Sequence, residues 1–171
     1  MRAALSSAYA RAALVLALVL AADQLTKHLV RRSIVPGEQV RLVPGVQLVN
    51  TRNHGVAFGL AAGSQPIVTI LVGLALLALL AYFATHASCP LIWLPTGLLL
   101  GGALGNLLDR IHSGSVTDFV KLPLGWPPFN LADASIVLGV VVLLFVIESP
   151  RGAGSELNSG RKSPLRGGGQ N

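Results

Sequence analysis

The chain has 171 residues, a length typical of a single domain. Apolar residues make up 52% of it and charged residues only 12%, about half of the ~25% that is usual in soluble domains. At a mean hydropathy of +0.65 the polar side chains are too few to cover a water-facing surface, which excludes a soluble globular protein. The net charge is +6, but the 13 Lys and Arg occur in ones and twos. This pattern argues against nucleic acid as a partner and favours membrane lipids.

The sequence gives no basis for a disulfide framework or a metal site. Cys89 is the single cysteine, and the four histidines lie far apart in the chain, at His28, His54, His86 and His112. We therefore predict a protein with no metal and no cofactor.

Four apolar stretches are candidate membrane spans, at about 8–30, 67–84, 91–108 and 131–147. The first could instead be a cleaved signal peptide, because Arg2 and Arg11 precede its apolar core. However, three further spans follow, and Asp23 continues the helical register. We predict an all-α membrane protein with four transmembrane helices and both termini on one side. Gly97, Gly101 and Gly105 recur every four residues and predict close helix packing.

The connections and the C-terminus have their own patterns. Val40–Arg52 mixes Val and Leu with polar residues, which predicts a small strand pair outside the bilayer, and Ser115–Val120 is β-like. The segment 56–63 is apolar and contains glycine, so we predict a short interfacial helix or a flap. Residues 149–171 are rich in Gly, Ser, Pro and Arg. They predict a disordered basic tail behind a membrane domain at 1–148.

The costly polar groups converge at one side of the predicted membrane. The ends of spans one and three and the start of span four face the same side, and ionisable groups inside a bilayer normally mark a functional interior. The residues concerned are Asp23, Lys27, Asn106, Asp109, Arg110 and Asp133. Each side carries six Lys and Arg in the loops and termini, so orientation depends on the first helix, which favours cytoplasmic termini. The polar side then faces outward.

Two carboxylates on this side can form an acid–base pair. Asn130 is placed to cap the fourth helix, with Asp133 in the first turn, where the helix dipole favours a charged carboxylate. Burial near Phe119, Trp126 and Phe129 favours a protonated Asp118. Such a pair can share a proton, activate water and protonate an amide leaving group. The alternative is that Asp118 is a turn residue and Asp133 merely a helix cap.

The remaining polar residues also have two interpretations. Asp23 and Lys27 are four residues apart and are expected to form a supporting ion pair, with substrate contact as the lesser alternative. Arg110 orients a carboxylate of the pair, or it extends towards lipid headgroups.

Five sequence blocks, in this order and at this spacing, resemble lipoprotein signal peptidase (signal peptidase II), a family of bacterial membrane aspartic peptidases. They are Asp23-Gln24-Leu25-Thr26-Lys27, Asn53-x-Gly55-x-x-Phe58, the run from Gly101 to Arg110, Val116-x-Asp118-Phe119 and Phe129-Asn130-x-Ala132-Asp133. The resemblance covers essentially residues 10–148. Two departures are Ala134, where a serine commonly follows the second aspartate, and the long basic tail.

The resemblance implies a fold, an activity and a set of site residues. The fold would be four membrane helices with a small extracytoplasmic β-cradle and a mobile interfacial helix. The activity would be removal of the signal peptide from diacylglyceryl-modified prolipoproteins, immediately before the lipidated cysteine, with globomycin as inhibitor. Asp118 and Asp133 would be the catalytic dyad. Supporting or substrate-binding roles would fall to Asp23, Lys27, Asn53, Gly55, Asn106, Arg110, Asn130 and Ala132.

The sequence therefore predicts a monomeric aspartic endopeptidase of the bacterial inner membrane, with its active site at the outer face. The runner-up is a small proton-coupled transporter subunit that uses Asp23 or Asp133 as a relay. A relay needs polar groups on both halves of its path, and spans two to four lack them towards the short 86–90 connection. A purely structural membrane scaffold leaves the clustered aspartates unexplained.

Overall fold

The structure, a computed structural model, describes residues 2–54, 65–123 and 125–148. Its elements in chain order are α1 (Arg2–Ser33), β1 (Gln39–Val43), β2 (Val46–Asn53), α2 (Gln65–His86), α3 (Trp93–Ser113), β3 (Val116–Lys121) and α4 (Leu131–Glu148). A helix lies over each of the four predicted spans. The predicted interfacial segment at 56–63, Gly55 and the predicted tail lie outside the described residues.

Helix α3 is the centre of the bundle and packs against α1, α2 and α4. Its glycines allow the close approach that their spacing predicts. A Cβ atom on Gly97 would lie 2.6 Å from the Cβ of Val15 in α1, and one on Gly101 would lie 2.8 Å from the Cβ of Val19. Gly102 faces the other way, where an added Cβ would lie 2.5 Å from the carbonyl oxygen of Ala132 in α4. These contacts confirm the small-residue face and extend it to a second helix.

The outward faces of the helices are apolar, as a lipid environment requires. Large apolar side chains remain exposed on α1, α2 and α4, among them Leu18, Leu77 and Phe145 at more than half of their surface. Two helical stretches within the described residues, Leu5–Ser33 and Leu131–Glu148, are long and apolar enough to cross a membrane. Ile70–His86 is a shorter apolar helix. The chain is thus a membrane protein by its surface, and four complete crossings stay a prediction.

The bounds of α3 differ from those of the predicted third span, 91–108. The helix begins at Trp93, because Leu91 has a φ of 61° that no right-handed helix contains. It continues to Ser113 and ends at Gly114, which adopts the left-handed conformation and donates its N–H to the carbonyl of Arg110. This extra turn keeps Asp109 and Arg110 inside the helix and fixes the direction of both side chains.

A three-stranded antiparallel sheet, in the order β1-β2-β3, covers the end of the bundle that carries the polar residues. Strands β1 and β2 confirm the predicted strand pair, and β3 confirms the β-like stretch. Val30 in the last turn of α1 and Ile34 directly after the helix pack with Phe119 of β3 in a small apolar core. The sheet is therefore attached to α1, and β3 carries Asp118 opposite Thr51 of β2.

Candidate active site

Asp133 lies in the first turn of α4 and forms a reciprocal cap with Asn130. The Asp133 N–H donates to Asn130 Oδ1 at 2.9 Å, and the Asn130 N–H donates to Asp133 Oδ2 at 3.1 Å. This arrangement satisfies two backbone N–H groups at the helix start and confirms the predicted cap. The cap uses only Oδ2 of the Asp133 carboxylate. The other oxygen, Oδ1, accepts a hydrogen bond from Asn106 Nδ2 at 2.8 Å.

Asp118 lies on β3, not in a turn, and is only 2% exposed. Its Oδ1 accepts a hydrogen bond from Asn130 Nδ2 at 2.7 Å, and its Oδ2 accepts one from Asn53 Nδ2 at 3.0 Å. Burial raises the pKa of Asp118 from 3.8 to about 6, against the opposing effect of the Asn53 hydrogen bond. The direction is the one predicted, but Trp126 is 62% exposed and does not provide the burial.

Two asparagine amides connect the two aspartates. Asn130 Nδ2, besides its bond to Asp118, donates to Asn106 Oδ1 at 3.1 Å, and Asn106 in turn donates to Asp133. The charge of Asp133 also acts on Asp118 and contributes to its raised pKa. Carboxylates from β3 and α4 are thus held in one hydrogen-bonded network.

Arg110 turns back towards this network instead of extending to the headgroups. Its Nη1 donates to the carbonyl of Asn106 at 3.3 Å, and its charge interacts with those of Asp133, Asp118 and Asp109. The guanidinium therefore adds positive charge beside the carboxylates.

A cavity of about 450 Å³ borders Asp133 on the side of α2. Its polar end is formed by Asn106, Arg110 and Asp133, and the rest is lined by Val72, Ala75, Leu76, Leu79, Leu99, Ala103 and Ile136. The backbones of α2 and α4 do not come into contact within the described residues. The cavity therefore lies in the space between α2 and α4, and the carboxylate of Asp133 lies at its polar end.

Asp23 and Lys27 lie beneath the site with no exposed side-chain surface. Lys27 Nζ is 2.8 Å from Asp23 Oδ2, which confirms the predicted ion pair, and it donates to Asn106 Oδ1 at 2.9 Å. Both side chains are completely buried, which favours the supporting role over substrate contact, and that role stays a prediction. Ala132 is also fully buried, and its N–H donates to Asp23 Oδ1 at 3.0 Å.

The structure brings the predicted site residues together, apart from Gly55, which lies outside the described residues. It also adds residues that received no role from the sequence. Asp109 accepts hydrogen bonds and ion pairs from α1 and β3, and Gln24, Arg31 and Thr117 are among its partners. Asp109 continues the four-residue step of Gly97, Gly101 and Gly105, a signal that would have placed it facing α1.

The comparisons with known proteins agree with this geometry. The family model for signal peptidase (SPase) II matches residues 15–148. The chain belongs to the signal peptidase II family. Membership makes it a peptidase and confirms the resemblance drawn from the five blocks. It favours a peptidase over the transporter subunit and the scaffold.

Individual relatives match over most of their length. The lipoprotein signal peptidase of Moorella thermoacetica is 43% identical over 139 residues, which cover 79% of this chain and 91% of that protein. The one from Syntrophomonas wolfei is 42% identical over 131 residues, 76% of this chain and 87% of that protein. A bacterial membrane enzyme solved by the in meso method at 1.9 Å shares the fold. It has a TM-score of 0.75 and 28% identity, and the match covers 82% of this chain and 94% of that chain.

Proposed function

We propose that the chain is an aspartic endopeptidase that removes the signal peptide from diacylglyceryl-modified prolipoproteins and cuts just before the lipidated cysteine. The observation that carries this proposal is the hydrogen-bonded path Asp118–Asn130–Asn106–Asp133, of which Asn106 and Asp133 line the cavity. Supporting it are the family and the names of the relatives, which are lipoprotein signal peptidases.

The chemistry needs one ionised and one protonated carboxyl group at the same time. The ionised member of the Asp118–Asp133 pair takes a proton from a water molecule as the oxygen attacks the scissile carbonyl carbon. The protonated member donates its proton to the leaving amide nitrogen as the C–N bond breaks. No acyl-enzyme forms. Because the two groups interact, they titrate as a pair, and the proton belongs to the pair.

The surrounding residues fix this pair in place. Asn130 and Asn106 hold one oxygen of each aspartate, and Asn53 holds the second oxygen of Asp118. Arg110 balances part of the negative charge that develops as the water attacks. Asn53, Asn106, Arg110 and Asn130 therefore orient the dyad and limit its movement.

The substrate enters from the side, through the membrane. A signal peptide is itself an apolar helix, and the space between α2 and α4 with its apolar lining suits such a helix. The diacylglyceryl group would keep the cysteine at the membrane surface, at the depth of the dyad.

We place four crossings in the bacterial inner membrane, with cytoplasmic termini and the active site at the outer face. We expect a monomer, inhibited by globomycin.

The test is cleavage of a lipidated precursor by the purified chain in lipid vesicles. We expect the wild type to release a mature protein that begins at the lipidated cysteine, as read by mass spectrometry. The same precursor without the lipid is expected to be a poor substrate, and Asp118→Asn and Asp133→Asn are expected to be inactive. A wild type that leaves the lipidated precursor intact, or cuts elsewhere, contradicts the proposal.

A further inference from the structure

A buried ionic triad of Asp23, Lys27 and Asp109 lies beneath the two aspartates of the dyad. Lys27 Nζ is 2.8 Å from Asp23 Oδ2 and 3.3 Å from Asp109 Oδ2. The side chains of Asp23 and Lys27 have no exposed surface, and that of Asp109 has 5%. Groups buried this deeply do not meet a substrate, so their charges act on the protein itself.

Each carboxylate of the triad accepts a backbone N–H from the residue that immediately precedes a dyad aspartate. The N–H of Ala132, next to Asp133, donates to Asp23 Oδ1 at 3.0 Å. The N–H of Thr117, next to Asp118, donates to Asp109 Oδ2 at 3.1 Å. The first N–H groups of a helix have no partner within it, and an edge strand has one unpaired side. The carboxylates thus hold α4 and β3 at the points where the aspartates are attached.

Lys27 joins these two attachments and reaches the dyad. Its Nζ also donates to Asn106 Oδ1, and Asn106 donates to Asp133. On the other side, Arg31 Nη1 is 3.6 Å from Asp109 Oδ1 and donates to Thr117 Oγ1 at 3.0 Å. Every buried side-chain nitrogen and oxygen within the described residues has a partner. A network satisfied in this way rigidifies its surroundings, and loss of one charge leaves the others uncompensated.

We propose that Asp23, Lys27 and Asp109 form a positioning device that sets Asp118 and Asp133 relative to each other, with Asp109 as the positioning residue for Asp118 and Asp23 as that for Asp133. The inference rests on the proposed function and adds to it a role for Asp109. The proposed positioning role explains why three charged side chains are buried here. Apolar side chains of similar size would stabilise the fold equally well.

The test compares Asp109→Asn, Asp109→Ala and Asp23→Asn with the wild type in the cleavage assay. Asn at 109 keeps an oxygen for the Thr117 N–H and loses the charge, whereas Ala loses both. We expect kcat to fall by about 10- to 100-fold in the Asn variants, more in the Ala variant, with little change in KM. The matched control is Glu38→Gln. It removes a carboxylate that also accepts a backbone N–H, from Val35, but at an exposed loop, so activity should not change.

The pH dependence separates positioning from a structural role. The charges of Asp133 from α4, Arg110 from α3 and Lys27 from α1 interact with that of Asp118. Asp109 forms ion pairs with Lys27 and with Arg31 of α1. Without the negative charge of Asp109, the positive charges of Lys27 and Arg31 are less neutralised, and they favour the ionised form of the nearby carboxyl pair more strongly. The limb of the rate profile that belongs to the Asp118–Asp133 pair should therefore move to lower pH by about half a unit. A role in folding alone would lower the yield without moving this limb.

A second measurement needs no variant. The amide hydrogens of Thr117 and Ala132 in the wild type should exchange slowly with solvent, as followed by NMR in detergent. Rapid exchange of these amides, or Asp109 variants with wild-type kcat and an unmoved limb, would overturn the inference. The proposed function stands separately in that case if the wild type cleaves the lipidated precursor and Asp118→Asn does not. It fails if the wild type does not cleave.

Discussion

The burial of Asp118 has a consequence for stability that can be measured. Its folded-state pKa of about 6 lies above the ordinary value of 3.8, a rise of about 2 units. At 1.36 kcal/mol per unit, this rise corresponds to about 3 kcal/mol of differential interaction. Because the folded state holds the proton more tightly, this stabilisation is complete below about pH 4 and is lost as the pH rises through about 6.

Asp118→Asn removes this titration. The free energy of unfolding of the variant, relative to the wild type, should therefore increase by about 3 kcal/mol between pH 4 and pH 8. For a chain of this length, that corresponds to a relative shift in Tm of roughly 6–12 °C. The assay is thermal unfolding in detergent at a series of pH values. Thr51→Val is the control, since it changes the cross-strand neighbour of Asp118 and adds or removes no titrating group.

Parallel Tm curves would contradict this role of the buried Asp118. If Tm of Asp118→Asn follows that of the wild type from pH 4 to pH 8, the buried carboxyl group is not the source of the expected loss. Curves that diverge only for Asp118→Asn, and not for Thr51→Val, support it.

Three other predictions concern the cap, the cavity and metals. Asn130→Ala loses the helix cap, at about 1 kcal/mol, and leaves the buried Asp118 Oδ1 without its donor, at about 1–3 kcal/mol more. Its Tm in detergent should fall, and an unchanged Tm contradicts the assigned bonds. Ala103→Leu fills the cavity beside Asp133, so cleavage should drop at least about tenfold with Tm preserved, whereas the exposed Ala134→Leu should cleave normally. A chelator should leave the rate unchanged, and loss that added zinc restores would point to a metalloenzyme.

The local features of the site could be predicted from the sequence because they depend on chain spacing alone. Residues four apart on a helix meet, so Asp23 and Lys27 pair, and a residue three positions after Asn130 completes a cap. The strand pair followed from its alternation of apolar and polar residues. The resemblance to a family, not spacing, singled out Asp118 and Asp133 as partners.

The tertiary links could not be predicted in the same way. The contact between Lys27 and Asp109 depends on how α1 is rotated against α3, which close packing at Gly97 and Gly101 fixes. The end of α3 depends on the left-handed Gly114, six residues beyond the point where the apolar stretch ends. The exposure of Trp126 depends on the path of the loop around Gly125, a stretch without periodicity.

The most direct measurement compares the kcat of Asp118→Asn, Asp133→Asn and the double variant on one lipidated precursor. Groups that act as a unit are not additive, so each single variant should lose about as much as the double variant, at least about a thousandfold. All three proteins should be equally well folded in detergent. Wild-type turnover in either single variant, or two moderate losses that multiply in the double variant, would contradict a shared role for the two carboxyl groups.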